Sequence, residues 1–192
     1  MSLESKKPRI FITGHTRGIG KAIFDLYKNK NFLCHGVSKS TGMDVDKDCD
    51  AIVKQMANFQ YIVLNAYEKD SQLRMLQMIV ERYQDDPKKI AVITSTSGTP
   101  AGLDSSLKHQ EYNWYCKNKK QLIEFIEKAQ QDLYDYPIQI YDVCPDTVDT
   151  DMSDGLWEEY PKLNAEDVAE CVDMCFSKSY NINKIVIQKN AK

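Results

Sequence analysis

Ile10-Phe11-Ile12-Thr13-Gly14-His15-Thr16-Arg17-Gly18-Ile19-Gly20 opens as a short apolar run, breaks into three glycines and continues as a helical pattern. That order suits a strand, a tight turn and the N-terminus of a helix that meets phosphate. One glycine takes the turn, a second lets the main chain approach a ligand, and a third lets helix and strand pack closely. The free N–H groups of the new helix, with its dipole, then face anionic oxygens. Glycine-rich turns also occur without nucleotides, so context decides. Here Ile10–Ile12 precede the turn, and Ile19, Ala22, Ile23 and Leu26 follow at helical spacing.

Outward from this segment, runs rich in β-branched residues alternate with longer amphipathic stretches. Strands are predicted near Arg9–Thr13, Phe32–Val37, Tyr61–Asn65, Lys89–Ser95, Ile138–Cys144 and Lys184–Gln188, with a very short one near Met43–Val45. Helices are predicted over Gly18–Lys30, Asp48–Asn58, Ser71–Gln84, Glu111–Gln131 and Ala165–Ser177. Such alternation favours an α/β fold, a doubly wound parallel sheet of about six to seven strands with helices on both faces. Ile90-Ala91-Val92-Ile93 is apolar at every position, as a sheet covered on both sides requires. In such sheets ligands sit at the carboxyl ends of the strands. The strand exits Thr13-Gly14, Ser38-Lys39, Asp44-Val45, Asn65-Ala66-Tyr67, Ser95-Thr96-Ser97-Gly98 and Pro145-Asp146-Thr147 are small and polar.

With 192 residues and 42% hydrophobic content, the chain reads as one domain over 1–192 with a sizeable core. The formal charge of −3, with lysines interspersed among acids, argues against a nucleic-acid partner. Six cysteines without CxxC pairs or neighbouring histidines argue against zinc and suit a reducing, cytoplasmic setting. Cys171 and Cys175, four apart on a predicted helix, read as core. No apolar run reaches the roughly 20 residues that span a bilayer, and Met1–Lys7 lacks the apolar core of a signal peptide. Neither a metal nor a membrane is expected.

Set in order, these exits resemble the short-chain dehydrogenase/reductase family from Ile10 to about Ile187. Thr13, Gly14, Gly18 and Gly20 match its TGxxxGxG. Asp44-Val45 is similar to its adenine-binding pair, and Asn65-Ala66 to the start of its Asn-Ala-Gly. Thr94-Ser95-Thr96-Ser97-Gly98 resembles its serine-bearing segment, and Tyr115-Cys116-Lys117-Asn118-Lys119 its Tyr-x-x-x-Lys. Pro145-Asp146-Thr147-Val148-Asp149-Thr150-Asp151-Met152 is similar to its Pro-Gly-x-Val-x-Thr-Asp-Met, and Ala165–Ala169 to its last helix. Tyr-x-x-x-Lys alone is weak, because Tyr180 and Lys184 share the spacing without a serine-bearing exit before them. The ordered set is what carries the likeness.

The resemblance implies a Rossmann fold and an oxidoreductase that interconverts a carbonyl and an alcohol on a small substrate. Tyr115 would donate or accept the proton. Lys119, one helical turn on, would acidify the phenol and hold the nicotinamide ribose, and Ser95 would orient the substrate oxygen. The cofactor-binding set it implies is Gly14, Thr16, Arg17, Gly18, Ile19, Gly20, Ser38, Lys39, Asp44, Val45, Asn65, Ala66, Tyr67, Tyr115, Lys119, Pro145, Val148 and Thr150. NADP(H) is expected over NAD(H). The second strand exits into Ser38-Lys39-Ser40-Thr41 without an acid for ribose hydroxyls, while Arg17 and Lys39 suit a 2′-phosphate and Ser38 supplies a hydrogen bond.

The chain also departs from the family. It is short, and no asparagine lies between Asn65 and Ser95 to support a proton relay, leaving Gln72 or Ser71 as substitutes. Tyr67 replaces the glycine of Asn-Ala-Gly and is expected to narrow the cofactor cleft. Asp146 replaces the glycine after Pro145 and brings a carboxylate towards the nicotinamide end. Ser95 and Tyr115 are 20 residues apart, and the loop Thr99–Gln110 between them is expected to border the substrate mouth, with His109 at its surface. Leu156, Trp157 and Tyr160 make a short lid, and Trp157 suits either the nicotinamide or a subunit contact. Apolar faces on Leu73–Tyr83 and Tyr112–Ile126 suit a homo-oligomer, a dimer or tetramer. These departures also admit a catalytically weak or inactive dinucleotide-binding or redox-sensing module of the same fold.

Overall fold

The computed structural model describes residues 7–100, 110–155, 158 and 161–189. Six strands form one parallel sheet: β1 (Arg9–Thr13), β2 (Leu33–Val37), β3 (Tyr61–Leu64), β4 (Lys89–Ile93), β5 (Gln139–Pro145) and β6 (Lys184–Ile187). Their order across the sheet is β2-β1-β3-β4-β5-β6, and every neighbouring pair is parallel. The chain winds from β1 to β2 on one side and then crosses back to β3 on the other. The order therefore reverses between β1 and β3, and the crevice above their carboxyl ends is where ligands of such sheets bind.

Alternation along each strand decides which face each residue covers. Phe11, Ile62, Leu64, Ile90 and Val92 meet one set of helices: α2 (Cys49–Gln55), α3 (Ser71–Tyr83) and α4 (Gln110–Asp132). Ile10, Ile12, Val63, Ala91, Ile93 and Val143 meet the other set, α1 (Gly18–Asn29) and α5 (Ala165–Ser177). Both faces are dry, so β1, β3, β4 and β5 are apolar at nearly every position. Each fully buried isoleucine or leucine contributes roughly 1.5–3 kcal/mol. The α1 stripe is Ile23 and Tyr27, both buried, with Tyr27 stacked edge-on against Phe32 at 4.8 Å.

Expected and observed elements differ by at most three residues at their ends, and six strands form where six to seven were expected. Met43–Val45 is not a strand. Local bonds take its backbone groups and those just after it: the Asp44 N–H donates to Asp48 Oδ2 at 2.8 Å, the Asp46 N–H to Asp44 Oδ1 at 2.9 Å, and the Asp48 N–H to the Asp44 backbone carbonyl at 2.7 Å. Short acidic side chains here compete with a β ladder and win. With no strand beyond it, β2 is the sheet edge, and its Leu33 and His35 are exposed. The predicted helix over Asp48–Asn58 ends in a 3-10 turn, Met56–Asn58. Lys88 Nζ closes that end by donating to the carbonyls of Met56, Ala57 and Phe59 at 3.3, 2.7 and 3.0 Å.

Cys175 is buried in the core, and Cys171 is half-buried at its margin. Tyr180 is exposed, while Lys184 pairs with Asp142 at 3.1 Å and Glu127 at 3.7 Å, so the second Tyr-x-x-x-Lys serves the sheet edge. Among the described residues, no helix is long and apolar enough to cross a membrane.

Candidate active site

Thr13, the fully buried last residue of β1, ties two strand exits together. Its Oγ1 accepts hydrogen bonds from the backbone N–H of Asn65 at 3.0 Å and of Ala66 at 3.1 Å. Asn65 returns the tie by donating from Nδ2 to the carbonyls of Thr13 and Gly14, each at 3.3 Å. The Gly14 N–H donates to the Val37 carbonyl at 2.7 Å, which fixes the β2 exit as well.

Gly14 and Gly18 take positive φ, +74° and +51°, where L side chains are strained. A Cβ at Gly14 would also stand 2.9 Å from Asn65 Nδ2, and one at Gly20 would lie 2.1 Å from the Gly14 carbonyl oxygen. The glycine positions of the loop are thus bare backbone by steric need. The Lys21 N–H to Arg17 carbonyl bond opens the α1 ladder, so the N–H groups of Gly18, Ile19 and Gly20 precede it and have no partner within the helix. No acid sits in the first turn to offset the dipole.

A cavity of about 610 Å³ opens against this loop. Of the expected cofactor residues, Gly14, Thr16, Arg17, Gly18, Ile19, Ser38, Lys39, Val45, Asn65, Ala66, Tyr67 and Thr150 line it. Gly20, Asp44, Tyr115, Lys119, Pro145 and Val148 stand outside its wall. Gly20 serves close packing, Asp44 holds the turn before α2, and Val148 is bridged to Leu163. Ser40, Met43, Glu68, Asp151 and Met152 line it without having been expected.

Charge at the rim differs from the sequence-based picture. Arg17 pairs with Asp151 at 3.4 Å, both well exposed. Lys39 pairs with Glu68 at 2.5 Å and with Asp44 at 3.7 Å, and these carboxylates hold the ammonium above the ordinary lysine range. The acid missing from the β2 exit is therefore supplied in space, by Glu68 from the β3 exit. Its position one residue past Asn65-Ala66-Tyr67 was the available signal, and only the fold joins it to Lys39.

Against Tyr67 stand two of the three residues expected to carry chemistry, Tyr115 and Lys119. The rings of Tyr67 and Tyr115 meet edge-on, 4.8 Å apart at 74°. Lys119 Nζ lies 5.4 Å from the Tyr67 centroid and 5.5 Å from that of Tyr115. Asn118 Nδ2 donates to the Tyr67 hydroxyl at 3.2 Å and holds that ring in place. Burial raises the Tyr67 phenol above its usual value. Ser95, 8% exposed, caps the 3-10 turn Thr96–Gly98, its Oγ accepting from the Ser97 N–H at 3.2 Å.

Lys119, expected at the nicotinamide ribose, is bonded within the fold. Its Nζ is buried and donates to Gln72 Oε1 at 2.7 Å and to the Ile93 carbonyl at 2.8 Å. Gln72 in turn donates to the Leu64 and Ile93 carbonyls at 2.8 and 3.1 Å, so one amide joins the ends of β3 and β4 to α4. Burial drives the Lys119 ammonium down to about 7, opposed in part by Asp142 and Cys144. Gln72, named from sequence as a substitute for the missing asparagine, meets Lys119 directly.

Asp146 Oδ1 accepts from Thr96 Oγ1 at 3.1 Å and from the Thr147 N–H at 2.9 Å, fastening the β4 exit to the β5 exit. His109 and all but the ends of the Thr99–Gln110 loop lie outside the described residues, as do Leu156, Trp157 and Tyr160.

A dinucleotide fits what is present. Glycines at which a Cβ would collide stand at the mouth of a cavity of about 610 Å³, and two cations, Arg17 and Lys39, line it. The comparisons agree at the level of the fold. No protein-family model matches the chain, and no curated protein matches it. Solved structures do. A short-chain dehydrogenase/reductase from Vibrio parahaemolyticus superposes with a TM-score of 0.73 at 19% identity, over 95% of this chain and 100% of that one. A short chain dehydrogenase from Burkholderia cenocepacia J2315 in complex with NADP gives 0.76 at 12%, over 95% and 88%. The 3-alpha-hydroxysteroid dehydrogenase from Pseudomonas sp. B-0831 complexed with NADH gives 0.71 at 13%, over 93% and 94%. At these identities the likeness establishes a shared fold.

Proposed function

We propose that this chain, whose fold is that of the short-chain dehydrogenases/reductases, is an NADP(H)-dependent oxidoreductase interconverting a carbonyl and an alcohol on a small substrate. The observation that carries this reading is a juxtaposition along one carboxyl edge of the sheet. Tyr67, on the wall of the glycine-lined cavity, is in ring contact with the Tyr115 phenol, and the Lys119 ammonium lies 5.4 Å from the Tyr67 ring centroid.

The backbone of Gly14, Gly18 and Ile19 would hold the pyrophosphate, Val45 the adenine, and Ser38, Lys39 and Arg17 the 2′-phosphate. The bound nicotinamide supplies the hydride. Tyr115 gives its proton to the substrate oxygen in reduction and takes it back in oxidation. Lys119, when protonated, favours the phenolate through the Tyr115 ring 5.5 Å away. Ser95 Oγ accepts from the Ser97 N–H, which leaves its own O–H to donate to the substrate oxygen.

A second reading, a dinucleotide-binding module with little chemistry, draws on two observations. Lys119 is committed to Gln72 and Ile93, and Tyr67, on the cavity wall, packs against Tyr115, which stands outside it. Titration with NADPH and NADH, followed by NADPH oxidation against a carbonyl panel, separates the two. The oxidoreductase reading expects dinucleotide binding, and turnover that Tyr115→Phe lowers by about 100-fold or more while NADPH affinity is kept. Tight binding without turnover on any carbonyl favours the module, and no binding of either dinucleotide overturns both.

A further inference from the structure

We propose that Glu68 sets cofactor selectivity, by competing with the adenosine 2′-phosphate of NADP(H) for Lys39. The inference rests on the dinucleotide reading and adds to it a residue whose effect opposes the expected preference.

Lys39 and Glu68 both line the cavity, and their side chains meet across it at 2.5 Å. Lys39 also lies 3.7 Å from Asp44, so one ammonium already serves two carboxylates. Asp44 is fixed by accepting from the Asp46 N–H at 2.9 Å and stays outside the cavity wall. Glu68 is the carboxylate that a ligand meets. Beside the pair runs a chain of hydroxyls: Ser38 Oγ lies 2.9 Å from Ser40 Oγ, which donates to Thr16 Oγ1 at 3.2 Å. Their lone pairs and protons suit a phosphate or a ribose equally. Selection therefore falls to the charges. The other cation of the rim, Arg17, is engaged by Asp151 at 3.4 Å, so neither cation presents an uncompensated charge.

A phosphate approaching Lys39 must displace the Glu68 carboxylate or share the ammonium beside a like charge. An unmodified ribose carries no charge there, and its hydroxyl donates to Glu68 while Lys39 stays paired. Glu68 thus penalises NADP(H) and leaves NAD(H) untaxed. The pair is partly exposed, so screening keeps the penalty modest and makes it shrink with salt.

The test is direct binding of NADPH, NADH, adenosine 2′,5′-bisphosphate and 5′-AMP, by calorimetry at low and high salt. In Glu68→Gln the NADPH to NADH affinity ratio rises about fivefold at low salt, and the bisphosphate to AMP ratio rises with it. Lys39→Met lowers both ratios, and adding Glu68→Gln to Lys39→Met raises them by less than it does in the wild type, because the ammonium competed for is gone and only the like-charge repulsion is relieved. Unchanged or lowered ratios in Glu68→Gln, with both dinucleotides still bound, overturn the role of Glu68 and leave the dinucleotide reading standing. Failure of the wild type and of Glu68→Gln to bind either dinucleotide overturns the reading and the inference together.

Discussion

Replacing Lys119 by methionine isolates the charged group that the interior tolerates least. Lys119 is 3% exposed, and its Nζ has two neutral acceptors, Gln72 Oε1 and the Ile93 carbonyl. Burial lowers its ionisation from 10.5 to about 7, which at about 1.4 kcal/mol per tenfold is on the order of 5 kcal/mol against the charged form. In the unfolded chain the lysine keeps its proton up to the ordinary value. Between about pH 7 and pH 10.5 the unfolded state therefore binds more protons than the native one, and wild-type stability from this group rises with pH. Below pH 7 the penalty is fully present.

Methionine removes the titration and keeps most of the volume. It also strips a donor from Gln72 Oε1, at a pH-independent cost of about 1–3 kcal/mol. The Ile93 carbonyl keeps its bond from Gln72 Nε2 at 3.1 Å. Urea unfolding of both proteins at about pH 6.5 and about pH 9.5 is the assay, with titrations common to both cancelling. The expected result is that wild type gains on Lys119→Met by about 3 kcal/mol between the two conditions. A difference constant to within about 0.5 kcal/mol would show that Lys119 ionises like an exposed lysine, and the burial argument would fail.

Two further perturbations test the frame of the cavity. Gly20→Ala puts a Cβ 2.1 Å from the Gly14 carbonyl oxygen, a backbone atom that cannot swing away. The expected cost exceeds about 2 kcal/mol, read as a lowered thermal midpoint, and a midpoint like the wild type would refute the contact. Thr13→Val removes the acceptor of the Asn65 and Ala66 N–H groups. A loss of about 2 kcal/mol in urea unfolding is expected, and stability equal to wild type would mean that those N–H groups find other partners.

Much of the frame was legible because parallel strands buried on both faces announce themselves as unbroken apolar runs. Arg9–Thr13 and Ala165–Ser177 form over the residues expected. The glycine loop was legible for a related reason, since few patterns other than bare backbone satisfy a turn, a close approach and tight helix packing at once. Pairings distant in sequence were less so. Nothing in Ser38-Lys39-Ser40 reveals that Glu68, 29 residues on, closes over Lys39. Nor does a lysine four residues after a tyrosine disclose whether it faces a cavity or the ends of β3 and β4. That depends on Gln72, whose amide accepts from Lys119 Nζ and donates to the ends of both strands.

The shortened segment after β2 bears on the site through what it keeps. A strand over Met43–Val45 would have shielded the edge of β2 and carried its side chains to the cavity through a ladder. Here the ladder is replaced by closures from Asp44 and Asp48 onto nearby N–H groups, yet Met43 and Val45 still reach the cavity wall, and Val45 is 4% exposed. His35 covers part of the open edge by packing on Phe11 and Phe59, at 5.1 and 5.8 Å, and its Nε2 lies 3.2 Å from Gln55 Oε1. The wall has been retained and the ladder dispensed with. Position in the adenosine half of the cavity therefore depends on short turns that side chains hold, and Lys39 and Asp44 belong to the same run of chain. The rim charges and the wall are thus set by one local structure, onto which a single carboxylate from the β3 exit, Glu68, closes at Lys39.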